Sequence, residues 1–312
     1  MDCKDVDWKG YWVAAPTPFG REGSLDERSW RDLLQLYLQH GVHGVMVNGT
    51  TGEWFSQSPA ERMRVAEIAV EELKGKIPVV IGCTTFTAIQ TCELARHAEQ
   101  VGADGVVSTP PPYLVPTPRE VVAFFQALSD GTRLPVMVYN WARGTNVEID
   151  RDLALELAAI DRVVAIKDST ADKVQAMATL EAVVDRLRVF GTFINRVGLG
   201  LLQEIGGDGN IDGGGLGARY AVGFYNSFWA GDLPAARNHA SRYVALSRQL
   251  INSDWSGRFG SPQSQLKAAM KLLGQPGGHP RPPILPLEDE GALRKLAAIL
   301  ESAGLVPVKA AS

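Results

Sequence analysis

Lys167 stands at the end of Val163-Val164-Ala165-Ile166-Lys167-Asp168-Ser169-Thr170, where four apolar, largely β-branched residues lead straight into an amine. A continuous apolar run of this length reads as a strand buried on both faces. A lysine at its exit either reaches for solvent, as most do, or is held in a dry pocket. The second case matters chemically, because desolvation lowers a lysine pKa and frees the neutral, nucleophilic amine for imine chemistry. Other strand-like runs end in groups that could serve it. Tyr139 closes one, followed by Asn140, Trp141 and Arg143; Thr50 and Thr51 follow another; Tyr113 follows a third; Ile211 and Asp212 close the last. Alternation puts Val163, Ala165 and Lys167 on one face of their strand, and Met137 and Tyr139 on one face of theirs. A phenol beside an amine is a workable proton shuttle for building and collapsing a carbinolamine.

These residues need a scaffold that gathers strand ends. Runs at Tyr11–Ala15, Val42–Val47, Ile77–Ile81, Gly105–Ser108, Leu134–Tyr139, Val163–Lys167, Leu187–Gly191 and Gly209–Asp212 read as eight strands. Helical stretches recur between them. Ser24 with Glu27 has capping-box spacing, and Ser58-Pro59 opens a helix with proline at its first position. Further helices are expected over about 87–101, from Pro118, over 150–159, from Thr170 to about Arg186, and over 218–229. Eightfold alternation over about 230 residues predicts an α/β fold, a (β/α)8 TIM barrel, whose sites lie at the C-terminal strand ends. The rest reads as three helices, 233–252, 262–273 and 288–303. The domain reading is therefore a barrel over 1–230 and a C-terminal helical extension over 231–312.

Composition narrows the function classes. A formal net charge of −4 gives no reason to expect nucleic acid or an anionic membrane as partner. No apolar run approaches a membrane span, and the N-terminus lacks a signal-peptide layout. Cys3, Cys83 and Cys92 are too scattered for a disulfide framework, and the five histidines lack metal-ligand spacing. A reduced, cytoplasmic protein without metal or cofactor is the expectation.

Several residues carry a second reading. Gly49-Thr50-Thr51-Gly52 could be only a tight turn, and Tyr139 only a packing residue. The glycines from Gly213 to Gly217 could cradle phosphate, as barrels often do after strands seven and eight, but no matched lysine or arginine accompanies them. Asp168 could ligate a metal, but lacks a second ligand.

Taken together, the chain resembles the dihydrodipicolinate synthase and N-acetylneuraminate lyase family of pyruvate-dependent class I lyases. The resemblance rests on Gly49-Thr50-Thr51-Gly52-Glu53 after strand two, Tyr139-Asn140 after strand five, and Ile166-Lys167-Asp168 at strand six. It implies a Schiff base between Lys167 and pyruvate or a 2-keto acid, with Tyr139 transferring protons and Thr50 in the relay. Thr51 would contact the substrate carboxylate, Gly191 and Ile211 would line the pocket, and Tyr113 would serve a neighbouring subunit. It also implies aldehyde partners and a homotetramer built as a dimer of dimers. Aldol condensation, aldol cleavage and dehydration all use the same enamine.

The sequence departs from the synthase branch, which carries an arginine five residues after the strand-five tyrosine. Here that place is Gly144, with Arg143 one residue earlier and Trp141 nearby. Asn140, Trp141, Arg143 and Asp212 are the candidates for second-substrate contacts. The competing readings are the lysine-pathway synthase itself, a sugar-acid dehydratase, a catalytically silent ligand-binding relative, and an unrelated phosphosugar enzyme.

Overall fold

The computed structural model describes residues 1–305; positions 306–312 of the expected extension lie outside the described residues. Eight parallel strands, β1 (Gly10–Ala14), β2 (Gly44–Val47), β3 (Val79–Gly82), β4 (Gly105–Ser108), β5 (Val136–Asn140), β6 (Val163–Asp168), β7 (Arg188–Phe190) and β8 (Gly209–Gly213), close into a barrel in sequence order. The expected fold class is the observed one. The helices around it are α1 (Glu27–Gln39), α2 (Pro59–Leu73), α3 (Ala88–Val101), α4 (Pro118–Asp130), α5 (Ala142–Thr145), α6 (Arg151–Leu157), α7 (Lys173–Val183), α8 (Arg196–Glu204) and α9 (Ala218–Trp229). Beyond them come α10 (Leu233–Leu250), α11 (Pro262–Leu272) and α12 (Glu290–Ser302).

Two apolar layers result from strand alternation. Inward-facing Trp12, Met46, Val80, Val107, Met137, Phe190 and Ile211 fill the barrel. Outward-facing Val13, Val45, Val79, Val106, Val138 and Ile166 meet the helices. Trp12 fits only because Gly44 stands opposite; a Cβ there would lie 2.3 Å from the indole ring. The extension has a small core of its own, Leu246, Leu250, Ala269, Leu273, Leu296 and Leu300, while Ala236, Ala240, Leu266 and Met270 join the outer barrel core.

Three local expectations change. Ser24 does not cap α1; Asp26 does, accepting from Ser29 N. Residues 19–25 are held instead in a bridge pairing Phe19 with both Leu25 and His279, which takes Ser24 out of the helix start. Val163 does not share a face with Ala165. A register shift opposite Val136/Met137 turns Val163 outward and Val164 inward, while Ala165 keeps its inward place. Helix α8 shows no clear helical signal in the sequence, because Gly198 and Gly200 interrupt its pattern. No helix among the described residues is long and apolar enough to cross a membrane.

Candidate active site

At the C-terminal end of the barrel, Tyr139 on β5 and Lys167 on β6 are direct register partners. Parallel pairing brings two inward-facing side chains together, and Lys167 Nζ lies 4.0 Å from the centroid of the Tyr139 ring. Lys167 is only 6% exposed. Burial drives its pKa down from 10.5 to about 7, against a smaller upward pull from Asp212. Burial also pushes the Tyr139 phenol up, so it stays protonated, while a hydrogen bond from Ser169 opposes the shift. Trp141 stacks on Tyr139 at 5.9 Å between centroids and 26° between planes.

These groups open into one cavity of about 1190 Å³, running from the barrel mouth to the helical extension. Thr50, Thr51, Gly191, Ile211, Trp141 and Arg143 all line it, together with Lys167, Tyr139 and Asp212. A space this large exceeds what a three-carbon keto acid would fill.

Four expected residues sit differently from their simplest reading. Asn140 points out of the barrel, fully buried, and donates to Glu148, to Ile149 O and to Asp168 Oδ1. The alternation that aims Tyr139 inward aims Asn140 outward, so it braces the strand ends and does not line the cavity. Asp168 is engaged in the same way, accepting also from Thr170 N. Asp212 follows inward-facing Ile211, and its carboxylate accepts from Tyr11 and Tyr243. Burial raises its pKa to about 7, with the Tyr11 hydrogen bond and Lys167 opposing. Tyr113 is 89% exposed and lies outside the cavity.

Gly144 clarifies the strand-five loop. A Cβ there would stand 2.4 Å from the Trp141 ring, so the indole occupies the space that a side chain at 144 would need. Arg143 does not replace the missing group within the barrel mouth. Its Nη1 donates to Asp254 Oδ2 and to Asp254 O, each at 2.7 Å, tying the loop to the segment between α10 and α11.

Sequence reasoning missed what holds the threonine loop. Glu53 has a left-handed φ of 57° and is wholly buried. Its Oε1 lies 2.5 Å from Lys267 Nζ, and its Oε2 accepts from Arg281 N. Lys267 also donates to Thr17 O and His279 O. One helical turn earlier, Gln263 donates to Thr50 O at 3.0 Å. Helix α11 of the extension thus grips the loop bearing Thr50 and Thr51. The available signal was weak: polar residues four apart in a helix otherwise fit for burial.

The sequence model of the dihydrodipicolinate synthetase family matches residues 7–303. The chain belongs to that family. Family membership makes it an enzyme of the lyase class. A DapA-like lyase of Rhizobium meliloti is 37% identical over 300 residues, covering 93% of this chain and 95% of its own. A probable 2-dehydro-3-deoxy-D-pentonate aldolase of Escherichia coli is 30% identical, covering 93% and 95%. The crystal structure of dihydrodipicolinate synthase from Thermotoga maritima superposes with a TM-score of 0.86 at 28% identity, covering 96% of this chain and all of that one. In this member of the dihydrodipicolinate synthetase family, the cavity opens over the Lys167–Tyr139 pair.

Proposed function

We propose that this family member is a class I lyase that forms an imine between Lys167 and the keto carbon of pyruvate or another 2-keto acid. The observation that carries this is the buried Lys167 amine at the cavity floor, its pKa brought to about 7, with the Tyr139 ring 4.0 Å away. At neutral pH about half of such an amine is neutral, whereas a solvated lysine with its ordinary pKa is almost wholly protonated. The neutral amine adds to the carbonyl. Tyr139 gives the carbinolamine oxygen a proton and water leaves. The resulting iminium accepts the electron pair released when a neighbouring C–H or C–C bond breaks, giving the enamine, and the Tyr139 phenolate takes back the proton from that C–H or from the departing aldehyde's hydroxyl. The enamine adds to an aldehyde, or forms as one departs; loss of a β-hydroxyl as water uses the same intermediate.

Thr51 is assigned to the carboxylate of the keto acid and Thr50 to the relay, as the match to the family's threonine pair implies. Between branches, the loop after β5 favours aldolase or dehydratase chemistry over the lysine-pathway synthase. Trp141 fills the room above Gly144, and Arg143 is engaged with Asp254. The same reading includes a cytoplasmic homotetramer of tight dimers, in which Tyr113 serves a neighbouring subunit. Exposure of Tyr113, Leu114 and Val115 in one segment supports it. It also takes 231–312 as an extension that completes the barrel's site without forming a separate catalytic unit, supported by the Gln263 contact to the threonine loop.

Incubation with pyruvate, borohydride reduction and peptide mass spectrometry test the central step. A pyruvyl mass on the Lys167 peptide is the expected result, and its absence overturns the proposal. Tyr139→Phe is expected to keep a trappable adduct but to lower turnover by about 10²- to 10⁴-fold, the usual worth of a positioned proton donor. Undiminished turnover would remove Tyr139 from the relay. The rate of adduct formation should follow the neutral fraction of Lys167. It is expected to rise about tenfold per pH step below about 7 and to level off above, measured by quenching with borohydride at timed intervals. A rise continuing to pH ~10 would mean the amine titrates as an ordinary lysine.

A further inference from the structure

An imine on Lys167 uses only the floor of the cavity, so the far end of a larger keto acid, or the incoming aldehyde, must lie against its outer wall. That wall is the linker between α10 and α11, clasped to the β5 loop through Arg143 and Asp254. Three observations there point to a ligand. Trp255 is a bulky residue held at a left-handed φ of 65°, a conformation that persists where surrounding structure imposes it and that gathers at ligand clamps. Its indole Nε1 is buried and has no hydrogen-bond partner, a donor left wanting an acceptor. Lys173 Nζ sits 5.4 Å from the centroid of the same indole.

Charge gives the chemical class. Lys173, Arg258 and Arg143 line this part of the cavity. Among the described residues neither Lys173 nor Arg258 forms a salt bridge; Arg143 has Asp254. The carboxylates on the cavity wall are already engaged, Asp168 by Asn140 and Thr170, Asp212 by Tyr11 and Tyr243. Lys173 has a long 3.5 Å bond to Thr170 O but no carboxylate partner; cations without carboxylate partners beside an unfilled N–H donor suit an oxyanion.

We propose that Trp255, Lys173 and Arg258 form the subsite for the far end of the second substrate, and that this end carries an anionic group, a carboxylate or a phosphate. The proposal rests on the imine reading. The aldehyde carbon then faces the enamine on Lys167, with its anionic tail against the linker and its chain along the Trp141 indole. When the carbon–carbon bond forms, the aldehyde oxygen takes a proton from Tyr139. Water hydrolyses the iminium and returns the Lys167 amine. The tail neither gains nor loses bonds.

The test begins with the pyruvyl adduct on Lys167. If no adduct forms, the imine reading fails and the subsite falls with it. If it forms, aldehydes matched in size are compared as acceptors: glycolaldehyde and glyceraldehyde as neutral members, glyoxylate and succinic semialdehyde as carboxylates, glyceraldehyde 3-phosphate as the phosphate. At least a tenfold advantage in kcat/KM for one anionic class is expected, and the better class names the anion. In Lys173→Gln/Arg258→Gln the KM for that acceptor should rise about tenfold and the advantage should collapse, while pyruvyl-adduct formation reports an intact fold and floor. Equal use of neutral and anionic acceptors overturns the proposal. So does a preference that survives the double substitution.

Discussion

Lys167→Ala is expected to lower turnover by at least about 10⁴-fold and to leave no borohydride-trappable adduct, because covalent catalysis disappears with its nucleophile. Turnover within a factor of ten of the native enzyme would refute the imine mechanism. The same position should reveal a conflict between stability and chemistry. The folded-state pKa of Lys167 lies near 7, below its ordinary 10.5. Between these values the unfolded chain binds more protons, so this group makes stability rise with pH across that window. Below about pH 7 its penalty is fully present, of order 5 kcal/mol as an upper bound from the size of the depression. Lys167→Met removes the charge and keeps the volume. It is expected to melt higher than the native protein at about pH 6, the gap narrowing towards pH 10. Equal melting temperatures in acid would show that the amine is not desolvated. On the proposed mechanism, a lysine kept dry for reactivity is thus a cost to the fold.

Lys267→Met should have the second-largest effect, this time on folding. Lys267 and Glu53 are 2% and 0% exposed, and each depends on the other for charge compensation. Removing one partner strands a buried carboxylate, a loss of about 3–5 kcal/mol, while replacing both by apolar groups of similar size is often far milder. A fall in Tm on the order of 10 °C is expected for Lys267→Met. Lys267→Met/Glu53→Leu should recover part of it. If the double variant were as unstable as the sum of its parts, the pair would not be coupled. Because Glu53 closes the loop that carries Thr50 and Thr51, the single variant should also raise the KM for the keto acid in the molecules that remain folded.

Much of this was legible in the chain. Eight apolar runs and their intervening helices specify a barrel, since buried parallel strands write their burial directly as continuous apolar sequence. The period of two then places Ala165 and Lys167 together on one face, and Met137 and Tyr139 on another. Motif order points to the family, and the resemblance suggests the roles proposed for Lys167, Tyr139 and the threonines. Even the arginine missing at Gly144 is visible in the chain.

Alternation failed where the ladder itself shifts, at Val163, because one extra residue in a strand reverses every assignment below it. Asn140 follows Tyr139 closely enough in sequence to be read as a substrate contact, but its side chain leaves the barrel on the outer face and bonds to Glu148, Ile149 and Asp168. Asp212 does line the cavity, with its carboxylate held by Tyr11 and Tyr243, partners that only the folded barrel and α10 provide. What the sequence determined by itself is the reactive pair, the barrel that brings it together and the family it belongs to. Tertiary structure decided what surrounds that pair. The Lys267–Glu53 clamp, Arg143 on Asp254 and Trp255 over the cavity join positions tens to hundreds of residues apart. No local pattern encodes such contacts, because each half is ordinary until the other is placed beside it. Lys167 was visible as a lysine at the end of a strand; only the closed barrel, by excluding water from its amine, brings its pKa down to about 7, as the proposed nucleophile requires.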